Sequence, residues 1–137
     1  SFVSDDPDRL RVAYYRRDTD DILRARVWFG PGCEGPPGHA HGGSMAAVLD
    51  EALGAAAWHQ GHIVLVAKLT ADFRGMVPLG TDATVEAWVV QVQGRKVTTR
   101  ARLFAGDRLA AEGEAICVIL QPEQLATIAA EPGSAVD

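Results

Sequence analysis

The feature that most constrains the fold is an apolar stretch at residues 42–58, which holds two adjacent acids, Asp50 and Glu51, and no basic residue. Ala and Leu dominate the stretch, and both favour helix. A helix that is apolar nearly all round is a buried helix. At about 1.5 Å per residue it extends roughly 25 Å, enough to cross beneath a whole sheet.

Alternation of apolar and polar residues predicts strands around this helix, at residues 24–29, 63–73, 83–90, 96–103 and 109–119. Short turns join the last three strands, which is typical of an antiparallel meander. We therefore predict an α+β fold of the hotdog type, a five- to six-stranded antiparallel sheet wrapped around one long central helix.

The whole chain, residues 1–137, is predicted to form one domain. Residues 1–20 are charged and mixed, and we expect an irregular N-terminal arm. Residues 123–137 form a C-terminal tail, with a short helix as the alternative after Pro122.

Composition excludes several classes of function. The net charge of −5 and pI of about 5.3 argue against a nucleic-acid partner, because binding phosphates needs a basic face. Cys33 and Cys117 suit neither a disulfide framework nor a zinc site. No apolar run approaches the roughly 20 residues of a membrane span, and no signal peptide is visible. We expect a cytoplasmic protein without a membrane partner.

Open sheet edges and apolar residues on the outer face predict self-association. The residues expected on that face are Trp28, Trp88, Val90, Val64 and Val66. We expect a homodimer that pairs again into a dimer of dimers, the homotetramer.

Asp50 has two interpretations of equal weight. An isolated carboxylate midway along an apolar helix is costly to bury, so it is either a satisfied structural group or a site carboxylate that acts as base or nucleophile. Glu51 lies about 100° further round the helix, so both acids cannot easily enter one pocket. A salt bridge or a solvated rim position is the better interpretation for Glu51.

The segment His41-Gly42-Gly43 lies where the helix begins, and free N–H groups there favour an anion such as a developing oxyanion. A tight turn that requires glycine is the alternative. Gly42 and Asp50 are about 12 Å apart along a helix, whereas both must approach one reacting centre within roughly 3 Å. If both act on one substrate, they come from two chains with antiparallel helices.

A metal site is disfavoured, because His39 and His41 flank one end of the helix and His59 and His62 the other.

Basic residues near turns are candidates for binding a phosphorylated group. They are Arg74, Arg95, Lys96, Arg100 and Arg102. For Arg100 and Arg102 we prefer a solvated strand face, whereas Arg95 and Lys96 occupy a hairpin tip.

The segment Pro-Pro-Gly-His-Ala-His-Gly-Gly at residues 36–43, followed by Asp50, resembles the His-Gly-Gly…Asp signature of hotdog-fold acyl-CoA thioesterases of the PaaI-like and thioesterase superfamily member 4-like branch. The similarity covers roughly residues 23–120. It implies hydrolysis of an acyl-CoA at a dimer interface, with no cofactor, since coenzyme A is part of the substrate.

The resemblance also implies roles for individual residues. The Gly42 N–H polarises the thioester carbonyl, Asp50 of the neighbouring subunit serves as base or nucleophile, and His41 shapes the pocket. The predicted substrate-binding residues are Gly43, His39, Glu51, Val66, Thr70, Arg74, Arg95 and Lys96, of which Arg95 and Lys96 lie near the nucleotide of coenzyme A.

Two departures from the family pattern favour a second hypothesis. Many members carry Ser or Thr on the strand after the helix, where this chain has Val66, and some carry Asn or Gln where it has Gly35. The alternative function is therefore an acyl-CoA-binding or sensing protein without turnover. A hydratase would need an Asp/His pair on a longer loop, which is not evident.

Overall fold

The structure is a computed structural model that describes residues 10–15 and 20–130. Its elements in chain order are β1 (Leu10–Tyr15), β2 (Leu23–Phe29), a 3-10 turn (Pro31–Cys33), α1 (Gly42–His59), β3 (Val64–Phe73), β4 (Asp82–Gln93), β5 (Lys96–Ala105), β6 (Arg108–Ile119) and α2 (Pro122–Ala130).

One six-stranded sheet has the order β1-β2-β4-β5-β6-β3, and every neighbouring pair is antiparallel. The predicted α+β hotdog architecture is confirmed. Gly94 and Gly106 occupy the β4–β5 and β5–β6 turns with φ of 61° and 65°, a left-handed conformation in which glycine carries no steric cost. Both turns were predicted.

The expectation of an irregular arm is wrong for residues 10–15. They form the edge strand β1, which pairs with β2 from Leu10 opposite Phe29 to Tyr15 opposite Arg24. Leu10 is fully buried and Val12 packs against the core, so burial of one face outweighs the polar composition. At the other end, α2 is the helix that was left open as an alternative to a tail.

Helix α1 is buried on one face only, which corrects the expectation of burial all round. That face consists of Ser44, Met45, Val48, Leu49, Ala52, Leu53, Ala56 and Ala57. The opposite stripe, at the spacing of one helix face, is open in the single chain: Gly43, Ala47, Asp50, Gly54 and Trp58. Small side chains on an open stripe allow another backbone to approach closely.

Strand β3 changes face at a bulge between Val66 and Lys68. Val66 pairs with Cys117 and Leu69 with Ala115, and both of these partners are fully buried. A bulge inserts one unpaired residue and so reverses the alternation beyond it. The prediction of one continuous alternating face is therefore wrong, as is the assignment of Val64 and Val66 to the outer face, since Val64 is buried and Val66 packs against the core.

The outer face of the sheet carries paired charges. Arg11 lies 4.2 Å from the Trp28 ring centroid and Arg102 lies 5.4 Å from that of Trp88. Ion pairs join Arg26 to Asp82 at 3.0 Å and Arg100 to Glu114 at 2.9 Å. Guanidinium groups thus cover both tryptophans, and the face is less apolar than the sequence predicted.

Candidate functional site

The start of α1 is fixed by reciprocal hydrogen bonds. His41 is the N-cap, its Nδ1 accepts from the Ser44 N–H at 3.0 Å, and Ser44 Oγ donates to the His41 carbonyl at 2.8 Å. The His41 N–H donates to the Cys33 carbonyl at 2.8 Å. Among the described residues, no acceptor takes the Gly42 N–H, one of the first amides that a helix leaves unpaired. Gly42 is exposed and therefore presents this donor outward.

The loop before α1 is closed by its own hydrogen bonds. Glu34 Oε2 accepts from the Gly38 N–H at 2.8 Å, and the Gly35 N–H donates to the His39 carbonyl at 2.9 Å. His39 Nδ1 lies 2.8 Å from the Pro37 carbonyl oxygen, so its ring orders the loop. A Cβ at Gly35 would lie 2.4 Å from the Cβ of His41. A side chain there is incompatible with this position of His41.

Asp50 lies at the middle of the open stripe of α1 and is exposed. Burial is the main cause of the raised pKa of the Cys117 thiol on β6, and the Asp50 charge adds to it. Gly54, one turn further along, is close to Val66, whose Cγ2 lies 3.9 Å from a Cβ built at that glycine. Asp50 and Val66 therefore border the same open face.

Glu51 points toward the opposite edge of the sheet. It forms a hydrogen bond with Tyr14 on β1, and burial is the main cause of the raised pKa of its carboxyl. The pKa of Tyr14 is also raised, first by burial and then by the Glu51 charge and hydrogen bond. The two adjacent acids thus diverge, as the helix geometry predicted, and Glu51 is half-buried beside β1.

Thr70 lies on the face of the sheet opposite α1. It pairs with Glu114 and lines an outer-face cavity of about 440 Å³ together with Arg100 and Trp88. The structure therefore does not bring Thr70 together with Asp50 or Gly42 within the chain. Its assignment as a substrate-binding residue stays a prediction without support from this geometry.

The three basic candidates differ in their contacts. Arg74 pairs with Glu112 at 3.2 Å. Arg95 donates from Nε and Nη2 to the Ile119 carbonyl and from Nη2 to Gln124 Oε1 at 3.0 Å. Lys96 is exposed at the same hairpin. Arg95 and Lys96 lie near Ile119, the partner of Val64, whereas Gly42 lies near Phe73 at the other end of β3.

Three residues were missed by the sequence analysis: Tyr14, Glu34 and Gln124. Only the role of Gln124 could have been predicted from a local sequence pattern. The segment Gln121-Pro122-Glu123-Gln124 fits the start of a helix, with Pro at the first helical position and Gln at the third. The contacts of Tyr14 and Glu34 depend on how the sheet wraps and the loop folds, which local sequence does not encode.

A cavity of about 560 Å³ opens at the C-terminal end of α1, lined in part by Gln60, His62, Trp88 and Arg102. It contains Arg102, one of the basic candidates, but neither Asp50 nor Gly42. Asp50 lies instead on an open face, which is the arrangement expected where a second chain completes a site.

In the described part of the chain, no three His, Cys, Asp or Glu side chains converge as metal ligands. Cys33 and Cys117 are both buried, and neither forms a disulfide bond within the described residues. Across residues 10–15 and 20–130, neither helix has the length and apolar character of a membrane span. The cytoplasmic location stays a prediction.

Comparison with known proteins agrees with this fold. Residues 37–112, more than half of the chain, match the thioesterase superfamily model. The Xenopus laevis acyl-coenzyme A thioesterase THEM4 is 35% identical over 92 residues, which cover 67% of this chain and 41% of that protein. This chain thus spans about two fifths of the length of that relative.

Solved structures give the same result. A thioesterase superfamily protein superposes with a TM-score of 0.74 and 30% identity, over 79% of this chain and 56% of the other. The Bacillus halodurans protein BH2602, solved with CoA, has a TM-score of 0.69 and 20% identity, over 79% and 73% of the two chains, and shares the fold.

An antiparallel sheet wrapped around one long helix defines the hotdog class. The chain belongs to the thioesterase superfamily.

Proposed function

We propose that this protein hydrolyses acyl-CoA thioesters to a free acid and coenzyme A, at a site shared by two copies of the chain. The observation that carries the proposal is the placement of Gly42 and Asp50. Both are exposed along the open side of α1, and eight residues, about 12 Å, separate them. One chain cannot bring both to one carbonyl, whereas two antiparallel helices can.

The chemistry needs only these two groups. The Gly42 N–H donates to the carbonyl oxygen as it becomes an oxyanion. Asp50 of the partner subunit removes a proton from water as the water oxygen attacks the carbonyl carbon, or attacks that carbon itself. The carbon–sulfur bond then breaks, and the thiolate of coenzyme A leaves and takes up a proton. Direct attack leaves a mixed anhydride, which a water molecule then hydrolyses to release the free acid and restore Asp50. In a single turnover in ¹⁸O-labelled water, attack of that water on the Asp50 carbon of the anhydride places label in the carboxylate, whereas the route through activated water places it in the free acid.

Self-association follows from the same surface. On the α1 side of the edge strand β3, Leu69 and Phe73 are exposed, and beside them lies the small-residue stripe of α1. An unpaired edge and a flat apolar stripe both favour a second copy, so we infer a homodimer. A tetramer, as predicted from the sequence, would form when two dimers associate through the charged outer faces of their sheets. Complementary ion pairs rather than apolar contacts would then have to hold the two dimers together.

The relatives support the substrate class. THEM4 of Xenopus laevis carries the name acyl-coenzyme A thioesterase, and the Bacillus halodurans structure holds CoA. In the proposed dimer, Arg95 and Lys96 belong to the same chain as Asp50. The C-terminal end of α1 lies about 15 Å from Asp50, and the hairpin of Arg95 and Lys96 lies near the start of β3, which follows α1. An extended pantetheine arm spans this distance, so the nucleotide phosphates would reach the hairpin.

Thiol release from short, medium, long and aromatic acyl-CoAs tests the proposal, with wild type beside Asp50→Asn. We expect wild type to release thiol from at least one class. Asp50→Asn should lose about 100-fold or more in kcat while fold and oligomeric state persist. Near-full activity of Asp50→Asn would contradict the mechanism.

A second candidate, an acyl-CoA sensor, is favoured by one observation. Val66 borders the face of Asp50 and carries no hydroxyl to orient water. Binding of acyl-CoA without thiol release across the whole panel would support the sensor over the hydrolase.

A further inference from the structure

Arg95 is fixed through both its backbone and its side chain. Its carbonyl accepts from the Ile119 N–H at 2.7 Å. In return, its Nε and Nη2 donate to the Ile119 carbonyl at 3.3 and 3.2 Å, and Nη2 donates also to Gln124 Oε1 at 3.0 Å. The guanidinium is therefore bound along one edge only.

Gln124 is itself held by the start of α2. Its Oε1 accepts from the Gln121 N–H at 2.8 Å, and its own N–H donates to the Gln121 carbonyl at 2.9 Å. The first of these bonds is one half of a capping box, in which the side chain at the third helical position satisfies the amide of the N-cap. The oxygen that Arg95 contacts is thus fixed from two sides.

The unused donors of Arg95 point to a ligand. A guanidinium has five N–H donors, and the three contacts occupy the Nε and Nη2 donors, so both Nη1 donors remain without an acceptor among the described residues. Lys96, the next residue, is exposed and has no described partner. Two adjacent cations with free donors, one of them held rigidly, suit the phosphates of a nucleotide.

We propose that Gln124 is a positioning residue, which holds Arg95 so that its Nη1 donors and Lys96 bind the phosphates of the coenzyme A part of the substrate. This inference rests on the proposed function. Fixing the arginine before the ligand arrives removes a conformational cost from binding. Gln124 touches no reacting atom, so it affects recognition of the nucleotide and not the chemical step.

The test compares an acyl-CoA with the N-acetylcysteamine thioester of the same acid, which lacks the nucleotide. Gln124→Leu removes the acceptor and leaves an apolar side chain that is one atom shorter. We expect the KM for acyl-CoA to rise about three- to ten-fold, with kcat unchanged. The kinetics with the N-acetylcysteamine thioester should not change. Thr127→Ala, which removes a side chain–backbone bond on the same helix, is the matched control.

Gln124→Glu separates positioning from a merely structural role. A carboxylate there keeps both hydrogen bonds but adds a negative charge that competes with phosphate for Arg95. We expect the KM for acyl-CoA to rise with this variant too, and both effects to disappear when Arg95 is replaced by Ala. If α2 needed Gln124 only for folding, Gln124→Glu would behave like wild type, and that result would overturn the inference.

Failure of the proposed function gives a different result. If neither thioester is hydrolysed, the proposed function is wrong. The Kd of coenzyme A, measured by calorimetry, then tests by itself whether Gln124 positions Arg95 for phosphate binding. A weaker Kd for Gln124→Leu and Gln124→Glu supports it. An unchanged Kd, or unchanged KM where hydrolysis occurs, contradicts it.

Discussion

Nδ1 of His41 accepts the Ser44 amide at 3.0 Å, and the Ser44 hydroxyl returns a hydrogen bond to the His41 carbonyl at 2.8 Å. A ring nitrogen that accepts an N–H carries no proton, so the proton of the neutral imidazole is on Nε2. The histidine of the His-Gly-Gly segment is therefore the cap of α1 and fixes the direction of the neighbouring Gly42 amide.

Replacing His41 should cost both stability and turnover. His41→Ala removes the cap, and we expect a loss of about 1 kcal/mol in the free energy of unfolding, together with a lower kcat because the Gly42 amide is less well fixed. Urea unfolding and steady-state kinetics measure the two effects. His41→Asn retains a capping acceptor and is the control; an Asn variant as unstable as the Ala variant would contradict the capping role.

Gly35→Ala tests the space beside His41. The added Cβ would approach the His41 Cβ to 2.4 Å, closer than such atoms approach in folded proteins, so the loop must move away from α1. We expect kcat to fall by about 10-fold or more, with a smaller effect on KM. Pro36→Ala, at the exposed neighbouring position, should leave kcat unchanged. Equal rates for both variants would show that the loop adapts without disturbing the site.

The sequence predicted the helix, five of the six strands and the hairpin turns, because each depends on local periodicity and turn chemistry. It missed β1, although Leu10 and Val12 alternate with Arg11 and Ala13, because charged residues on both sides mask so short a run. It also missed the β3 bulge, since a single inserted residue at Ala67 leaves no mark in an apolar run. At the site, the divergence of Asp50 and Glu51 was predictable from helix geometry, whereas the partner Tyr14 depends on how far the sheet wraps.

Stability should depend on pH through Glu51. Burial raises the pKa of this carboxyl, so the folded chain holds the proton more tightly than the unfolded chain does. The unfolding free energy of wild type therefore falls as pH rises between the ordinary pKa, about 4.3, and the raised value. Because glutamine does not ionise, the unfolding free energy of Glu51→Gln does not fall in this pH range. Relative to wild type, the variant should be more stable at about pH 7 than at about pH 4.

Tyr14→Phe extends the same test. The Tyr14 hydroxyl stabilises the ionised form of Glu51, so its removal should raise the pKa of Glu51 further and extend the loss of stability to higher pH. Urea unfolding at both pH values measures both variants. A stability difference between Glu51→Gln and wild type that is the same at both pH values would refute the assignment.

A large side chain on the open stripe of α1 should prevent self-association. Ala47→Arg places a charged group beside Asp50, where the second helix would pack, while the buried face stays intact. We expect light scattering to show a monomer that retains its circular dichroism spectrum and has no thioesterase activity. Ala129→Arg, the same change at an exposed position of α2, is the matched control and should remain associated and active. An active monomer of Ala47→Arg would mean that one chain suffices.

The shared site is tested most directly by mixing two inactive variants. Gly42→Pro removes only the N–H donor, because proline suits the first helical position. His41, with φ of −77° and ψ of 157°, already has the extended conformation that precedes proline. A Cβ at Gly42 would lie 3.8 Å from Phe73, an ordinary contact. Asp50→Asn removes the acid, and each variant alone should be inactive.

When the two variants are unfolded and refolded together in equal amounts, half of the dimers are mixed, and each mixed dimer has one intact site of two. We predict recovery of about a quarter of the wild-type activity. No activity in the mixture, with mixed dimers shown to be present, would contradict it, since Gly42 and Asp50 would then have to act within a single chain.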